Sequence, residues 1–139
     1  WRREFWFYSS TVPSFEQYTL AQFMERGHFE RHLSRARTRY RARREALITA
    51  ARETGLSKAG TLSGGEAGLH LLLEMNPRFR EEELVERAAK VGVGLSPLSA
   101  YDLTPPPPER PPALILGYTR IAAGEMAPAL DQLKLAWGF

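Results

Sequence analysis

The sequence predicts an α/β protein, and more narrowly an α+β two-layer sandwich that packs a small sheet with a long helix and three to four other helices. Three observations support this fold class. Apolar residues recur at helical spacing from about His28 to Thr54, and the strings LHLLLEM and ALILGYTRI are both typical of strands. The predicted element order is α, long α, β, α, β, β, α, and its β-α-β stretch suggests one crossover unit.

Length and composition limit the possible classes of protein. The chain has 139 residues, of which 43% are hydrophobic and 25% charged, which suits a single subdomain covering residues 1–139. No run of about 18 apolar residues could span a membrane, and the absence of cysteine excludes disulfides and thiolate metal sites. A net charge of +3 is by itself too small to argue for nucleic-acid binding. Because the chain begins at Trp1 without a methionine, we expect a fragment of a longer protein.

Two helices are predicted in the first third of the chain. The first runs from a cap at Ser10 or Thr11 to a stop at Gly27, and the second from about His28 to Thr54. Each carries an apolar face. The face of the first helix consists of Val12, Phe15, Thr19 and Phe23, and the stripe of the second consists of Phe29, Leu33, Ala36, Tyr40, Leu47 and Ala51.

The segment SKAGTLSGGEAGLHLLLEM is β-like, with SGGEAG as a turn before a strand over residues 69–75. Both faces of this strand are mostly apolar, which suggests that both are covered. A third helix is predicted from about Arg80 to Val91. Its three glutamates lie at the positive end of the helix dipole, and Arg87 and Lys90 lie near the negative end.

The last third of the chain contains two more strands and a helix. VGVGLSPLSAY predicts a short strand that runs into a loop, and LTPPPPERPP predicts a stiff surface loop rather than a ligand for a small recognition domain. ALILGYTRI is the final strand. The last helix runs from about Gly124 to Trp137, with one apolar face formed by Met126, Leu130, Leu133 and Trp137.

Arg120 is the residue that most strongly suggests a binding function. It stands at the end of an otherwise apolar strand, where a guanidinium without a partner is costly to bury, so we expect a carboxylate to meet it. The planar guanidinium suits two-point binding of a carboxylate. That carboxylate could belong to a ligand or to an internal salt bridge, or the strand end could reach solvent; the residue pattern leaves these alternatives open.

The long helix carries seven arginines within a short segment. They are Arg31, Arg35, Arg37, Arg39, Arg41, Arg43 and Arg44. Arginine binds phosphate, so a nucleic-acid surface is one interpretation. The same segment carries the apolar stripe, and exposed aromatic residues for base stacking are missing from the opposite face. A solvated helix face with some ion pairing is therefore the favoured interpretation.

Other local motifs do not predict a metal or catalytic site. HFERH places His28 and His32 at the spacing of a metal pair, but its glutamate is out of the zincin position and no further ligand completes a site. SGGEAG lacks the lysine and hydroxyl residue of a phosphate-binding loop. No serine, histidine and acid arrangement has support in the sequence. We predict surface histidines, no metal site and no catalytic residue in this chain.

Four strings in the chain resemble the C-terminal part of MocR/GabR-type transcriptional regulators of the GntR superfamily. They are FEQYTLAQFMERGHFERHLSRARTRYRARREAL, EAGLHLLLEM, VGLSPLSAYDL and LILGYTRI, and they occur in the order and spacing of that family from about residue 9 to residue 135. GHFERHL and AGLHL are fairly specific to it. The general layout is shared with all fold-type I pyridoxal-phosphate enzymes.

The resemblance implies a parent protein with an N-terminal winged helix-turn-helix domain and an aminotransferase-like domain. The latter binds pyridoxal 5'-phosphate, senses an amino-acid-like effector and dimerises head to tail. This chain would be its small C-terminal subdomain and would contact the large subdomain of the same chain. The parent would be cytoplasmic, and it would reach operator DNA only through the N-terminal domain that this sequence lacks.

The resemblance also implies roles for particular residues. Arg120 occupies the position that meets the effector carboxylate, and Ser99 and Tyr101 lie on a loop close to the effector pocket. Ser10 and Thr11 could approach the cofactor phosphate of the partner subunit. The lysine that binds the cofactor covalently lies upstream in this family, so we expect this chain alone to be no enzyme and to hold no cofactor tightly.

Two alternatives stay open beside the regulator. The chain could be the small domain of a true pyridoxal-phosphate-dependent aminotransferase, in which Arg120 would have the same role. It could also be a basic module that binds nucleic acid through the arginine-rich helix, in which case binding would weaken strongly with salt.

Overall fold

The structure is a computed structural model that describes residues 12–65, 68–107 and 109–139. The chain divides into two compact units, one ending at Thr38 and the other running from Arg39 to Phe139.

The first unit contains helix α1 (Ser14–Glu25) and the first part of helix α2 (His28–Glu53). α1 begins directly after Pro13, whose carbonyl accepts hydrogen bonds from the amides of Glu16 and Gln17. The caps predicted at Ser10 and Thr11 lie outside the described residues. Gly27 follows α1 with φ +68°, a left-handed conformation that glycine adopts without steric cost and that ends the helix as predicted.

The apolar face predicted on α1 is present but is not buried. No residue of α1 is buried, and the side chain of Phe15 is 80% exposed. The burial of the apolar stripe of α2 increases along the helix. The stripe is half-buried up to Tyr40 and fully buried at Leu47 and Ala51. The predicted stripe and the predicted bounds of α2 are therefore both confirmed.

The second unit is built on a four-stranded antiparallel sheet with the order β1-β2-β4-β3. The strands are β1 (Gly60–Ser63), β2 (His70–Met75), β3 (Ser96–Pro97) and β4 (Ala113–Gly117). The unit also contains the part of α2 from Arg39 onward and two further helices, α3 (Glu81–Lys90) and α4 (Ala123–Trp137). Short 3-10 helices occupy Leu56–Lys58 and Leu98–Tyr101. The α+β fold class is confirmed.

The predicted crossover takes a split form. β2 and β3 each pair antiparallel with β4, so they run parallel to one another, with β4 inserted between them and α3 as the connection. β1 was not predicted as a separate strand. It forms a hairpin with β2 in which Leu62 pairs with Leu73.

The core lies on one face of this sheet. Leu71 pairs with Leu116 and Leu73 with Leu114, and all four side chains are buried together. The C-terminal part of α2 and the apolar faces of α3 and α4 contribute to the same cluster of buried residues. The predicted burial of both faces of β2 is wrong. Its burial alternates, because the face that carries His70 has no buried residue in β2.

Candidate functional site

Arg120 lies in a turn between β4 and α4. β4 ends at Gly117, so Arg120 stands beyond the hydrogen-bonded strand rather than at its end. Its side chain is exposed, and no carboxylate within the described residues forms an ion pair with it. The internal salt bridge is therefore not found in the described part of the chain, and the side chain of Arg120 is exposed.

The backbone of this turn is held by neighbouring elements. Tyr118 is 2% exposed, and its hydroxyl donates a hydrogen bond of 2.8 Å to the carbonyl of Gly68 in the loop between β1 and β2. A guanidinium nitrogen of Arg43 in α2 donates to the carbonyl of Thr119. Arg120 thus combines an exposed side chain with an anchored main chain, an arrangement suited to binding an anion with defined geometry.

The far side of the turn is fixed by the start of α4. The carboxylate of Glu125 accepts a hydrogen bond of 3.3 Å from the amide of Ala122, and the amide of Glu125 donates to the carbonyl of Ala122 at 3.0 Å. The first of these bonds is the glutamate half of a capping box, and the half that needs a side-chain acceptor at the N-cap is missing because residue 122 is alanine. The two hydrogen bonds set where the chain leaves the turn and enters α4.

The loop residues predicted near the effector pocket have different environments. Ser99 is half-buried, and its amide and hydroxyl donate to the carboxylate of Glu81 at 3.0 and 2.5 Å. Tyr101 is 68% exposed. Neither residue hydrogen-bonds to Arg120 in the described part of the chain, and Ser10 and Thr11 lie outside it. The predicted pocket roles of these residues stay predictions.

Glu81 is an organising residue that the sequence analysis missed. It is only 8% exposed, and besides Ser99 it accepts a hydrogen bond of 2.8 Å from the buried amide of Ala113, the first residue of β4. In the sequence Glu81 is one of three consecutive glutamates, and its predicted role there is to interact with the helix dipole together with Glu82 and Glu83. Its spacing of three and seven residues from Leu84 and Ala88 places it on the buried face of α3, and that signal could have identified it.

The arginine-rich segment of α2 separates into two groups. Five of its arginines are exposed: Arg31, Arg35, Arg37, Arg39 and Arg41. Arg43 and Arg44 are half-buried, and a guanidinium nitrogen of Arg44 donates to the carbonyl of Gly65. The predicted solvated face is therefore correct for most of the segment. The expected ion pairs do not form among the described residues, where no salt bridge includes these arginines.

The described residues contain no group of three or more potential metal ligands. His28 instead contacts Arg31, with 2.8 Å between Nδ1 and a guanidinium nitrogen. Two of the three lysines have structural contacts, since Lys90 pairs with Glu86 at 2.7 Å and Lys134 donates to the carbonyl of Thr54.

The proline-rich loop is closed at its base by an ion pair. Both terminal guanidinium nitrogens of Arg110 donate to the carboxylate of Asp102, at 2.9 and 2.6 Å. These hydrogen bonds lower the pKa of Asp102 and raise that of Arg110. The described residues of the loop between them are exposed, as predicted for a stiff surface loop.

No helix in the described residues is both long enough and apolar enough to cross a bilayer.

The amino-acid sequence of the chain is similar to those of transcription regulators. No protein-family model matches the chain. It is 32% identical over 130 residues to the uncharacterized HTH-type transcriptional regulator YdeL of Bacillus subtilis (strain 168), covering 94% of this chain and 27% of that protein. It is 31% identical over 121 residues to the probable rhizopine catabolism regulatory protein MocR of Rhizobium meliloti, covering 87% of this chain and 24% of that protein.

The chain is a homologue of the C-terminal part of MocR-type transcriptional regulators. It spans about a quarter of the length of the curated relatives it matches. The predicted resemblance to MocR-type regulators is confirmed.

Solved structures show the same fold in aminotransferases. The Thermus thermophilus α-aminoadipate aminotransferase LysN, complexed with N-(5'-phosphopyridoxyl)-L-leucine, superposes with a TM-score of 0.74 and 20% identity, over 86% of this chain and 29% of LysN. The Pyrococcus horikoshii kynurenine aminotransferase complexed with PMP gives a TM-score of 0.71 and 20% identity, over 83% of this chain and 28% of that enzyme. The chain therefore combines the sequence of MocR-type regulators with the fold of an aminotransferase small domain.

Proposed function

We propose that this chain is the effector-sensing subdomain, covering residues 1–139, of a pyridoxal-phosphate-dependent MocR/GabR-type regulator. Arg120 binds the carboxylate of an amino-acid-like effector, and the subdomain closes over the bound effector. The observation that carries the proposal is the exposed guanidinium of Arg120 on an anchored turn, with no ion-pair partner among the described residues. The similarity to transcription regulators supports a role in regulation. The shared fold with LysN, which was solved with N-(5'-phosphopyridoxyl)-L-leucine, supports a domain built to receive a cofactor-bound amino acid.

The proposal assigns the cofactor to the parent protein rather than to this chain. When bound, pyridoxal 5'-phosphate would supply covalent capture of an amine by the large subdomain, and this chain would supply recognition of the carboxylate. The parent would be a cytoplasmic homodimer, and its contact with operator DNA would come from a different domain. Ser99 and Tyr101 would line the pocket, and Ser10 and Thr11 would approach the cofactor phosphate of the partner subunit.

Replacing Arg120 in the intact regulator tests this function. Arg120→Ala should abolish the response to the effector and leave the absorbance spectrum of the bound cofactor unchanged, because the role proposed for the guanidinium is to bind the effector carboxylate and not the cofactor. Arg41→Ala is the matched control, since it removes an exposed arginine of α2 and should leave the response intact. An Arg120→Ala regulator that still responds would show that the carboxylate is bound elsewhere.

A true aminotransferase is the second candidate, favoured by the TM-score of 0.74 to LysN. Steady-state turnover of the intact protein with amino donors and 2-oxo acids separates the two. Sustained transamination at ordinary enzymatic rates, about 1–1,000 per second, would establish the enzyme. Binding without turnover, coupled to a change in operator affinity, would establish the regulator.

A further inference from the structure

We infer that Arg43 is a positioning residue that sets the orientation of Arg120, an inference that rests on the proposed function. Arg43 belongs to the arginine-rich segment of α2 but is half-buried, unlike Arg41 two residues before it. Its guanidinium donates a hydrogen bond to the carbonyl of Thr119, the residue directly before Arg120. This contact joins the helix to the one peptide group that carries the amide of Arg120.

The planarity of the peptide bond explains why this contact matters. The carbonyl of Thr119 and the amide of Arg120 lie in the same plane, because the bond between them has partial double-bond character. A donor that fixes the carbonyl oxygen therefore restricts the rotation of the whole group, including the Cα atom from which the Arg120 side chain leaves. A hydrogen bond from a charged guanidinium is also stronger than one from a neutral donor.

Other hydrogen bonds hold the same turn and the loop next to it. Arg44, the neighbour of Arg43, donates to the carbonyl of Gly65 and has its Nε atom buried without a hydrogen-bond acceptor among the described residues. The loop that contains Gly65 also accepts the hydrogen bond from Tyr118 through Gly68. Two consecutive arginines of α2 therefore hold the turn of Arg120 and the loop that braces this turn.

Orientation has a direct consequence for carboxylate binding. A guanidinium binds a carboxylate best when its planar fork meets both oxygens, so a small rotation of the backbone costs affinity. The oxygen atoms that Arg43 and Arg44 contact are backbone carbonyls, so neither guanidinium is neutralised by its contact. Arg43 therefore also adds positive charge beside the turn.

The experiment measures carboxylate recognition in the intact regulator with its cofactor. The twenty standard amino acids, D-alanine and γ-aminobutyrate are titrated against the cofactor absorbance. The acid with the strongest response is then compared with its decarboxylated amine. Arg43→Met should weaken binding of the acid about 10-fold and leave binding of the amine unchanged, the scale typical when a partner that orients a binding group is removed. Arg43→Lys should restore part of the loss.

Arg41→Met is the matched control, because it removes the same charge from the same helix at an exposed position. It should change the affinity for neither compound. If Arg43→Met leaves the affinity for the acid unchanged, or weakens acid and amine equally, the positioning role is refuted. If Arg120→Ala does not remove the preference for the acid, or if no amino acid binds, the proposed function itself fails.

A second measurement tests the positioning role without any effector. The backbone NMR order parameters of Thr119, Arg120 and Ile121 should be lower in Arg43→Met than in Arg41→Met, because only the former releases the Thr119 carbonyl. Equal order parameters in the two variants would overturn the inference even if the effector measurements gave no response.

Discussion

Replacing Glu81 with glutamine is the sharpest test of how the second unit is held together. The Glu81 carboxylate accepts three hydrogen bonds, two from Ser99 and one from the amide of Ala113. It thereby joins the start of α3 to the 3-10 helix Leu98–Tyr101 and to the first residue of β4. Glutamine has nearly the same shape, so the variant removes acceptor capacity without creating a cavity.

The expected loss in the free energy of unfolding follows from the smaller number of acceptor oxygens in glutamine. A carboxylate offers two accepting oxygens, whereas a glutamine side chain offers one oxygen and two donors. Either the Ser99 groups or the Ala113 amide must therefore lose its acceptor. A buried donor left without an acceptor costs about 1–3 kcal/mol. The Ala113 residue is 2% exposed, so water cannot readily replace the lost acceptor there.

Urea unfolding followed by far-UV circular dichroism measures the effect. With a slope of about 2 kcal/mol per molar urea, a loss of about 2 kcal/mol lowers the midpoint by about 1 M. Glu82→Gln is the matched control, because it removes the same charge from the same helix turn but its side chain is 73% exposed. We expect the control to change the free energy of unfolding by no more than about 0.5 kcal/mol.

Equal midpoints for Glu81→Gln and Glu82→Gln would refute this reasoning. They would mean that the cost of removing the Glu81 carboxylate from water offsets its three hydrogen bonds in the native state. Faster hydrogen exchange at the amides of Ser99 and Ala113 in Glu81→Gln alone would support the assigned contacts.

Two further predictions concern stability. Arg110 lowers the pKa of Asp102, so their ion pair stabilises the fold above the ordinary pKa of aspartate and loses this effect as the pH falls through the lowered value. Arg110→Met should therefore lower the free energy of unfolding at pH 7 but not at about pH 2. Urea unfolding at both pH values measures the difference. Gly60→Ala would place a Cβ atom 2.5 Å from the carbonyl oxygen of Glu74, whereas Gly94 has no atom within 4 Å of such a position. Thermal denaturation should show a loss of about 1–3 kcal/mol for Gly60→Ala and little change for Gly94→Ala; equal melting temperatures would contradict the close approach of the Glu74 carbonyl to Gly60.

Much of the fold could be predicted because it depends on local periodicity. The apolar stripe of α2 identified the helix and the residues that become buried or half-buried along it, from Phe29 to Ala51. The face of α4 was predicted equally well, and Met126, Leu130, Leu133 and Trp137 are all buried. Helical spacing places such residues on one side whatever the rest of the chain does. The resemblance to MocR-type regulators also rested on short local sequence segments, and the comparisons with known proteins confirmed it.

Long-range contacts could not be predicted from the sequence, because they depend on which elements meet in space. Arg41 and Arg43 belong to one arginine-rich segment, yet only Arg43 reaches a carbonyl that lies 76 residues further along the chain. Glu81 shares its helix turn with Glu82, yet only Glu81 meets the amides of Ser99 and Ala113. The amino-acid sequence by itself determined the helices, the apolar faces and the candidate arginine. Only the tertiary structure decided the strand order and the polar side chains that anchor the turn of Arg120, because a hydrogen bond requires its two partners to be brought together by the fold.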